Sequence, residues 1–272
     1  MARMKAMASV LQVVKEAQVF DHFGPAIVAS PCLPAEESQR LRSVVDLATA
    51  CGYPERHSNQ TAFLAERIFQ QTVSLHRLGE KEAQLLYYGA LLHDIGYCLG
   101  YSRHHKYGYF LVVNGHLRGF THEELHIIAN IVRYHRRSWP KESHRAFALL
   151  PPKSREVVRS LSAILRVADG LDRSRSALIT DVRCIFLKTR KIRFEIATTE
   201  RHRKIRADLR AAKRRGRYFE KLFDIKTAIT TRQCLPMKPS NASDSMPRLF
   251  RLSYRKGVAG LLEDWQKNTD GA

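Results

Sequence analysis

The sequence predicts a mainly α-helical protein with a small α/β appendage toward its C-terminal end, and three observations carry that reading. Apolar residues recur three and four apart through most of residues 35–170, the spacing that lines one face of a helix. Beyond Thr180 the spacing changes: Val182, Cys184 and Phe186, then Ile192, Phe194 and Ile196, alternate with polar residues as strand faces do. Positive charge gathers over the same late segment, with sixteen Lys or Arg against six Asp or Glu from Asp181 to Lys226.

In chain order, residues 1–34 show no sustained period, and the breaks Phe23-Gly24-Pro25 and Ser30-Pro31 mark a lead-in with no assigned chemistry. A first helix is expected over 35–50, closed by Cys51-Gly52-Tyr53-Pro54 as Gly and Pro past a helix end normally close one. Further helices are expected over 57–76, 80–94, 103–114, 121–136 and 154–170, with Thr121 and Glu124 spaced as a capping box. Residues 35–180 thus read as a helical body. The runs flanking Thr189-Arg190-Lys191 predict a β-hairpin, followed by a basic helix over 208–223 and a short strand near 225–229, so that 181–231 form the appendage. Residues 232–272 read as a flexible tail, with Pro236, Pro239, Ser240, Asn241 and Ser243 at its start and enough apolar residues over 249–265 to dock a short helix.

Composition narrows the function classes. A chain of 272 residues buries a core without cross-links, and its five cysteines are odd in number, scattered and without a CxxC pair. Neither a disulfide framework nor a cysteine zinc site is expected, which fits a reducing cytoplasm. The apolar stretches near the N-terminus are too short and interrupted for a signal peptide or a spanning helix, so no membrane role is expected. The formal net charge of +20 implies attraction to polyanions such as nucleotides, polyphosphate or RNA. Only Tyr218 and Phe219 interleave aromatic rings with the basic cluster Lys213-Arg214-Arg215-Gly216-Arg217, so RNA contact is expected to be non-specific.

The chemistry lies where polar groups end apolar rows. His57 shares a helical face with Thr61, Leu64 and Ile68; the row Leu86, Ala90 ends in His93, with Asp94 directly after it. The row Leu125, Ile128, Val132 ends in His135, and the row Val158, Leu161, Leu165 ends in Asp169. Four helices therefore aim imidazole or carboxylate at the interior. Burying ionised carboxylates unpaired is prohibitive, so a compensating cation is expected. Imidazole and carboxylate without thiolate suit a divalent metal, one of Mn, Mg, Fe, Ni, Co or Zn, with open positions for water and phosphate oxygen. The metal ligands are expected to be His57, His93, Asp94 and Asp169, with Asp94 and His93 at the centre of catalysis, and the reaction to be phosphoester or phosphoanhydride hydrolysis.

The series His57, Leu91-Leu92-His93-Asp94-Ile95-Gly96 and Ala168-Asp169-Gly170-Leu171-Asp172-Arg173-Ser174-Arg175 resembles the HD phosphohydrolase superfamily, whose pattern is H…HD…D. With Cys51-Gly52-Tyr53-Pro54-Glu55-Arg56-His57 and Arg133-Tyr134-His135-Arg136, it is most similar to the C-terminal helical domain of exopolyphosphatases and guanosine pentaphosphate phosphatases, from about residue 37 to about residue 230. The resemblance implies an HD-type helical bundle with His57, His93, Asp94 and Asp169 as metal ligands. The family's phosphatase site lies in actin-like domains with glycine-rich phosphate loops, which residues 1–36 are too few to form. The family also tends to show His-Lys/Arg-His-Ser where this chain reads His105-Lys106-Tyr107-Gly108, so His104, His105 and His135 stand as candidates for a second metal or for phosphate.

Arg173 and Arg175, about one helical turn past Asp169, and Arg136 beside His135 are candidates to grip substrate phosphate, since a planar guanidinium holds two oxygens at once. Pairing of Arg173 with Asp172 is the structural alternative. The expected function is a metal-dependent hydrolase acting on a phosphorylated small molecule, polyphosphate or another phosphorylated polyanion, and a homodimer is compatible with it. The competing reading is a non-catalytic module that grips polyphosphate, RNA or a partner protein. On either reading, the basic appendage is expected to be separable from the ligand-bearing body.

Overall fold

A computed structural model describes residues 35–233, and among these the order of elements follows the predicted one: a helical body, then a three-stranded sheet with its own helices. The lead-in and nearly all of the tail, with the docking helix expected over 249–265, lie outside the described residues. Helix α1 (Ala35–Ala50) ends as expected, with Gly52 in the left-handed region at φ 60°.

The helix expected over 57–76 is two, α2 (Glu55–Gln71) and the single turn α3 (Val73–His76). Thr72 causes the break: its hydroxyl donates to the Ile68 carbonyl at 2.7 Å, a bond back along the helix that bends it. Helix α4 (Glu80–Leu92) stops just before His93, and a short 3₁₀ turn, Ile95–Cys98, leads toward α5 (His104–Asn114). At the start of α6 (His122–Tyr134) the capping box is present, with the Glu124 amide donating to the Thr121 hydroxyl and the Thr121 amide to Glu124. A turn of helix, α7 (Arg145–Ala148), precedes α8 (Pro152–Leu171), whose early start uses Pro152 in the first turn, where a missing N–H is harmless.

Helix α8 is the central element. Its residues from Leu161 to Leu171 are buried without a break, so it has no solvent face over that length. It packs against α2, α4 and α6 in the body. On its far side lie the helices of the appendage.

Strands β1 (Ile179–Leu187) and β2 (Lys191–Thr198) form the predicted hairpin. The apolar faces read from the sequence meet in register: Val182 opposite Ile196, Cys184 opposite Phe194 and Phe186 opposite Ile192. The open edge of β1 is covered by α2, where the Gln71 side chain donates to the Val182 carbonyl and accepts from the Cys184 amide, while Arg67 pairs with Asp181. The basic helix begins earlier than expected and breaks at Gly216 into α9 (His202–Arg215) and α10 (Arg217–Phe223). The last strand, β3 (Lys226–Gln233), runs parallel to β2 rather than as a simple meander, and a parallel pair needs the helical crossover that α9 and α10 supply.

The appendage is seated firmly on the body, because α9 and α10 both pack on α8. Gly170 permits the approach: a Cβ there would stand 2.6 Å from the Cα of Ala212, a backbone atom that cannot swing aside. Gly170→Ala is therefore expected to cost about 1–3 kcal/mol through overpacking, a fall of several degrees in the thermal midpoint. An unchanged midpoint in a thermal melt would mean that α8 and α9 are not in this close contact.

Candidate functional site

Each histidine of the site sits at or beside a helix end, and a local acceptor fixes its ring. His93 follows α4 and His135 follows α6; their Nδ1 atoms lie 2.7 Å from the carbonyls of Ala90 and Val132, three residues back. His104 opens α5, with Nδ1 2.8 Å from the Tyr101 carbonyl, also three residues back. The carbonyls of Ala90 and Val132 lie in last helical turns with no partner further along the helix, so the His93 and His135 rings satisfy them. His57, in the first turn of α2, has Nδ1 2.8 Å from Oδ2 of Asp172, and Asp172 is itself held by the Ala177 amide on Oδ1.

A carbonyl or carboxylate on Nδ1 makes that nitrogen the donor and leaves Nε2 of a neutral ring with its lone pair. All four Nε2 atoms point into one space. His57 and His93 Nε2 are 3.2 Å apart, and His104 and His135 Nε2 are 3.3 Å apart. Asp94 lies between the two pairs: Oδ2 is 3.5 Å from His93 and 3.8 Å from His57, while Oδ1 is 3.2 Å from His104 and 3.7 Å from His135. Asp169 is 3.6 Å from His57 Nε2. All six side chains are buried. Two clusters result, His57 with His93 and Asp169, and Asp94 with His104 and His135, each compact enough to hold a metal ion.

The close approach of the second cluster depends on Gly96. A Cβ there would fall 2.0 Å from the His104 carbonyl oxygen, so only glycine lets the turn after Asp94 touch the start of α5. Gly108, where the resembled family has Ser, faces Val132 at a hypothetical Cβ distance of 2.6 Å. That departure allows α5 and α6 to close together.

Burial would raise Asp94, but the facing rings of His93, His104 and His135 hold it below the usual carboxylate range. Burial likewise opposes ionisation of Asp169, yet the Arg215 guanidinium and the bond to His57 keep it ionised. His93 and His135 are pushed down by burial and remain neutral. For His57, burial pulls down, but bonds to Asp169 and Asp172 and the charges of Asp169 and Asp94 outweigh it and lift the ring to about 9. In the metal-free protein His57 is therefore protonated at neutral pH.

Cations form the rim. Arg175 Nη2 is 2.5 Å from Asp94 Oδ2, with its guanidinium 5.1 Å above the Tyr97 ring, and Arg136 lies 3.2 Å from His104 Nε2. Arg173 is exposed at the mouth of the same pocket and does not take the structural alternative of pairing with Asp172, which serves His57 and Ala177. The enclosed space is only about 40 Å3, room for small ions or waters. Arg137, Arg175 and Ala177 hold left-handed backbone around this rim, at φ 60°, 59° and 47°, a conformation costing about 1–2 kcal/mol for residues with a Cβ.

Three departures from the sequence reading emerge. His105 is buried but belongs to neither cluster: its ring lies 6.1 Å from that of His104, its Nδ1 has no partner, and burial with nearby positive charge lowers it to about 4. Because it follows His104 directly, the helix turns it away by about 100°. Arg215, read from the sequence as part of a surface cluster, instead reaches Asp169 and lines the pocket, so the appendage contributes to the site directly. Asp172 orients His57, a role signalled by its position three residues past Asp169, and buried Arg166 donates to the carbonyls of Tyr134 and Arg137, holding the end of α6 beside His135.

The fold and site together define a helical domain built around a buried imidazole–carboxylate cluster with an arginine rim. Residues 40–213 match the family model for Ppx/GppA phosphatase, domain III, and the chain belongs to that family. Among the described residues, no helix is long and apolar enough to cross a membrane.

Asp172→Asn is expected to remove the charge that supports the His57 proton. A histidine NMR titration of metal-free protein should then show His57 moving from about 9 toward the ordinary imidazole range. A midpoint unchanged in the variant would mean that Asp172 does not control the ring.

Proposed function

We propose that this chain is a metal-dependent phosphohydrolase of the HD type, acting on a nucleotide, polyphosphate or another phosphorylated polyanion. The observation that carries the reading is the convergence of four Nε2 atoms and two carboxylates in one buried space, with every Nδ1 engaged elsewhere. Apart from the Nε2 that carries the His57 proton, lone pairs face one another and repel, and a divalent cation, displacing that proton, is the partner that satisfies all four nitrogens together. His57, His93 and Asp169 would hold one ion, His104 and His135 a second, with Asp94 offering one oxygen to each. Such ions polarise phosphoryl oxygens and lower the pKa of bound water to supply hydroxide near neutral pH.

The protein's own groups supply the rest. Asp172 and the three backbone carbonyls fix the rings before any ligand arrives, so no reorganisation is needed at the moment of reaction. Arg175 and Arg215 already make charged hydrogen bonds at the pocket, and both can pass them to phosphate oxygens, joined by Arg136 and Arg173 at the mouth. The pocket has room for ions or waters alone, so a phosphoryl group under attack would sit at its mouth among Arg136, Arg173 and Arg175.

One observation favours the competing, non-catalytic reading. Arg175 and Arg215 already neutralise Asp94 and Asp169, so the carboxylates have countercharges from the protein itself. Elemental analysis of the purified protein, followed by a screen of nucleotides, inorganic polyphosphate and guanosine pentaphosphate for phosphate release, separates the two. Stoichiometric metal with turnover supports the enzyme; neither metal nor turnover, with polyanion binding retained, supports the module.

Asp94→Ala is expected to empty the site and reduce phosphate release more than about a hundredfold, since it removes the carboxylate shared by both clusters. Full metal occupancy in that variant would overturn the assignment. Metal binding must also displace the His57 proton. The apparent metal affinity should therefore rise with pH, by up to about tenfold per unit, and level off above about 9. Metal titrations from pH 6 to pH 10 that show a flat affinity would place the metal elsewhere.

A further inference from the structure

The segment 172–177, between α8 and β1, carries two arginines of the rim on a backbone that needs outside support. Arg175 and Ala177 are left-handed, at φ 59° and 47°. A residue with a Cβ keeps such a conformation only where its surroundings hold it there. Within the body, the Arg175 amide donates to the Asp172 carbonyl at 3.0 Å, the Ala177 amide to Asp172 Oδ1 at 2.8 Å, and the Arg56 guanidinium to the Ser176 carbonyl at 2.9 Å. Those bonds fix the end of the segment that leads into β1. Ser174, between the two arginines, is held from another direction.

That support comes from the appendage. Asp208 is the one acidic residue of α9, and with Ile205, Ala211 and Ala212 it lies on the buried side of that helix, which packs on α8. It is 1% exposed. A carboxyl group buried among small apolar residues is costly unless its oxygens are hydrogen-bonded. Both are: Oδ1 accepts from the Ser174 amide at 2.6 Å, and Oδ2 accepts from the Ser174 hydroxyl at 3.1 Å. Two bonds from one residue to the two oxygens of one carboxylate fix the direction of the backbone as well as its place.

The residues on either side of Ser174 face the site. Arg173 lines the mouth of the pocket, and Arg175 reaches Asp94 Oδ2 at 2.5 Å with its guanidinium over the Tyr97 ring. Asp208 does not line the pocket, so any effect it has on a ligand there passes through the loop. A guanidinium holds phosphate through a planar fork, which makes the grip sensitive to angle as well as distance. Misplacement on the order of 1 Å is enough to lose much of such an interaction.

We infer that Asp208 is a positioning residue for phosphate recognition: through Ser174 it holds Arg173 and Arg175 at the pocket mouth, so that a carboxylate of the appendage sets the arginine grip of the body. The inference rests on the reading of that mouth as a phosphate site, and not on turnover there. Two buried carboxylates then share the loop. Asp172 ties its end to His57, and Asp208 ties its middle to α9. The same helix delivers Arg215 to Asp169, so the docking of α9 completes the site at two points.

The test uses the full, metal-free chain, with arginine side-chain NMR resonances assigned through single Arg→Lys variants and inorganic phosphate as the probe. Before phosphate is added, the bond to Asp94 should give the Arg175 guanidinium a slowly exchanging resonance. Asp208→Ala should abolish it with the circular dichroism unchanged. Asp208→Asn, which keeps an acceptor for the Ser174 amide, should retain it. Ser174→Ala removes the hydroxyl bond alone and should shift the resonance partway, which keeps the test open if Asp208→Ala does not fold. Phosphate binding is then followed at Arg136, which lies outside the loop. Asp208→Ala should weaken it at least about fivefold in the otherwise unaltered protein, and less than about twofold where Arg173 and Arg175 are already alanine, because a group that acts through the arginines has nothing left to act on. Equal weakening in both backgrounds, or an Arg175 resonance that Asp208→Ala and Ser174→Ala leave unchanged, would overturn the inference and make Asp208 a docking contact of α9. A wild-type protein that shows no phosphate shift would instead remove the phosphate reading of the pocket mouth, and the Arg175 resonance would still decide whether Asp208 places the loop.

Discussion

The structure turns on Asp94, a buried carboxylate that faces four imidazole rings and one guanidinium. An ionised group so placed is tolerated only where every neighbour favours the charge, and that requirement governs the geometry of the body. It brings the ends of α4 and α6 and the starts of α2 and α5 together at one point, with α8 bringing Asp169 to the same place. Glycine at 96 follows from the same demand, since any larger residue would hold the turn after Asp94 away from His104.

Orientation is settled one layer out. Three of the four rings are held by backbone carbonyls three residues away, and for His93 and His135 the device works because helix ends have carbonyls to spare. The fourth, His57, uses a carboxylate instead and is the ring that gains a proton. His93 and His135 stay neutral while His57 exchanges a proton for a cation, so chemistry at the cluster is linked to pH through His57.

The appendage is part of this design. Helix α9 packs its small and apolar side on α8, delivers Arg215 to Asp169, and turns a row of cations outward toward the sheet. A basic region that looks uniform in composition therefore has two electrostatic faces, one acting on the buried Asp169 carboxylate and one open to solvent. The parallel pairing of β2 with β3 makes this geometry, because the crossover it requires is the helix that carries both faces.

Much of the body was legible in the sequence because burial imposes a period. The rows ending in His57, His93, His135 and Asp169 could be read from spacings of three and four, and the hairpin from alternation, since a side chain's direction follows from backbone geometry alone. His104 could be named but not separated from His105, whose different fate depends on which face of α5 meets the turn after Asp94. Arg215 carried no signal, since its partner Asp169 lies far away in the chain and the two meet only when α9 docks against Gly170. Asp208 was equally hidden: its partner Ser174 belongs to another segment, and only the same docking brings the two together. Periodicity determined which residues turn inward, because that is a property of each element by itself. Tertiary packing decided which of them meet, because contact between distant segments depends on how the elements are stacked.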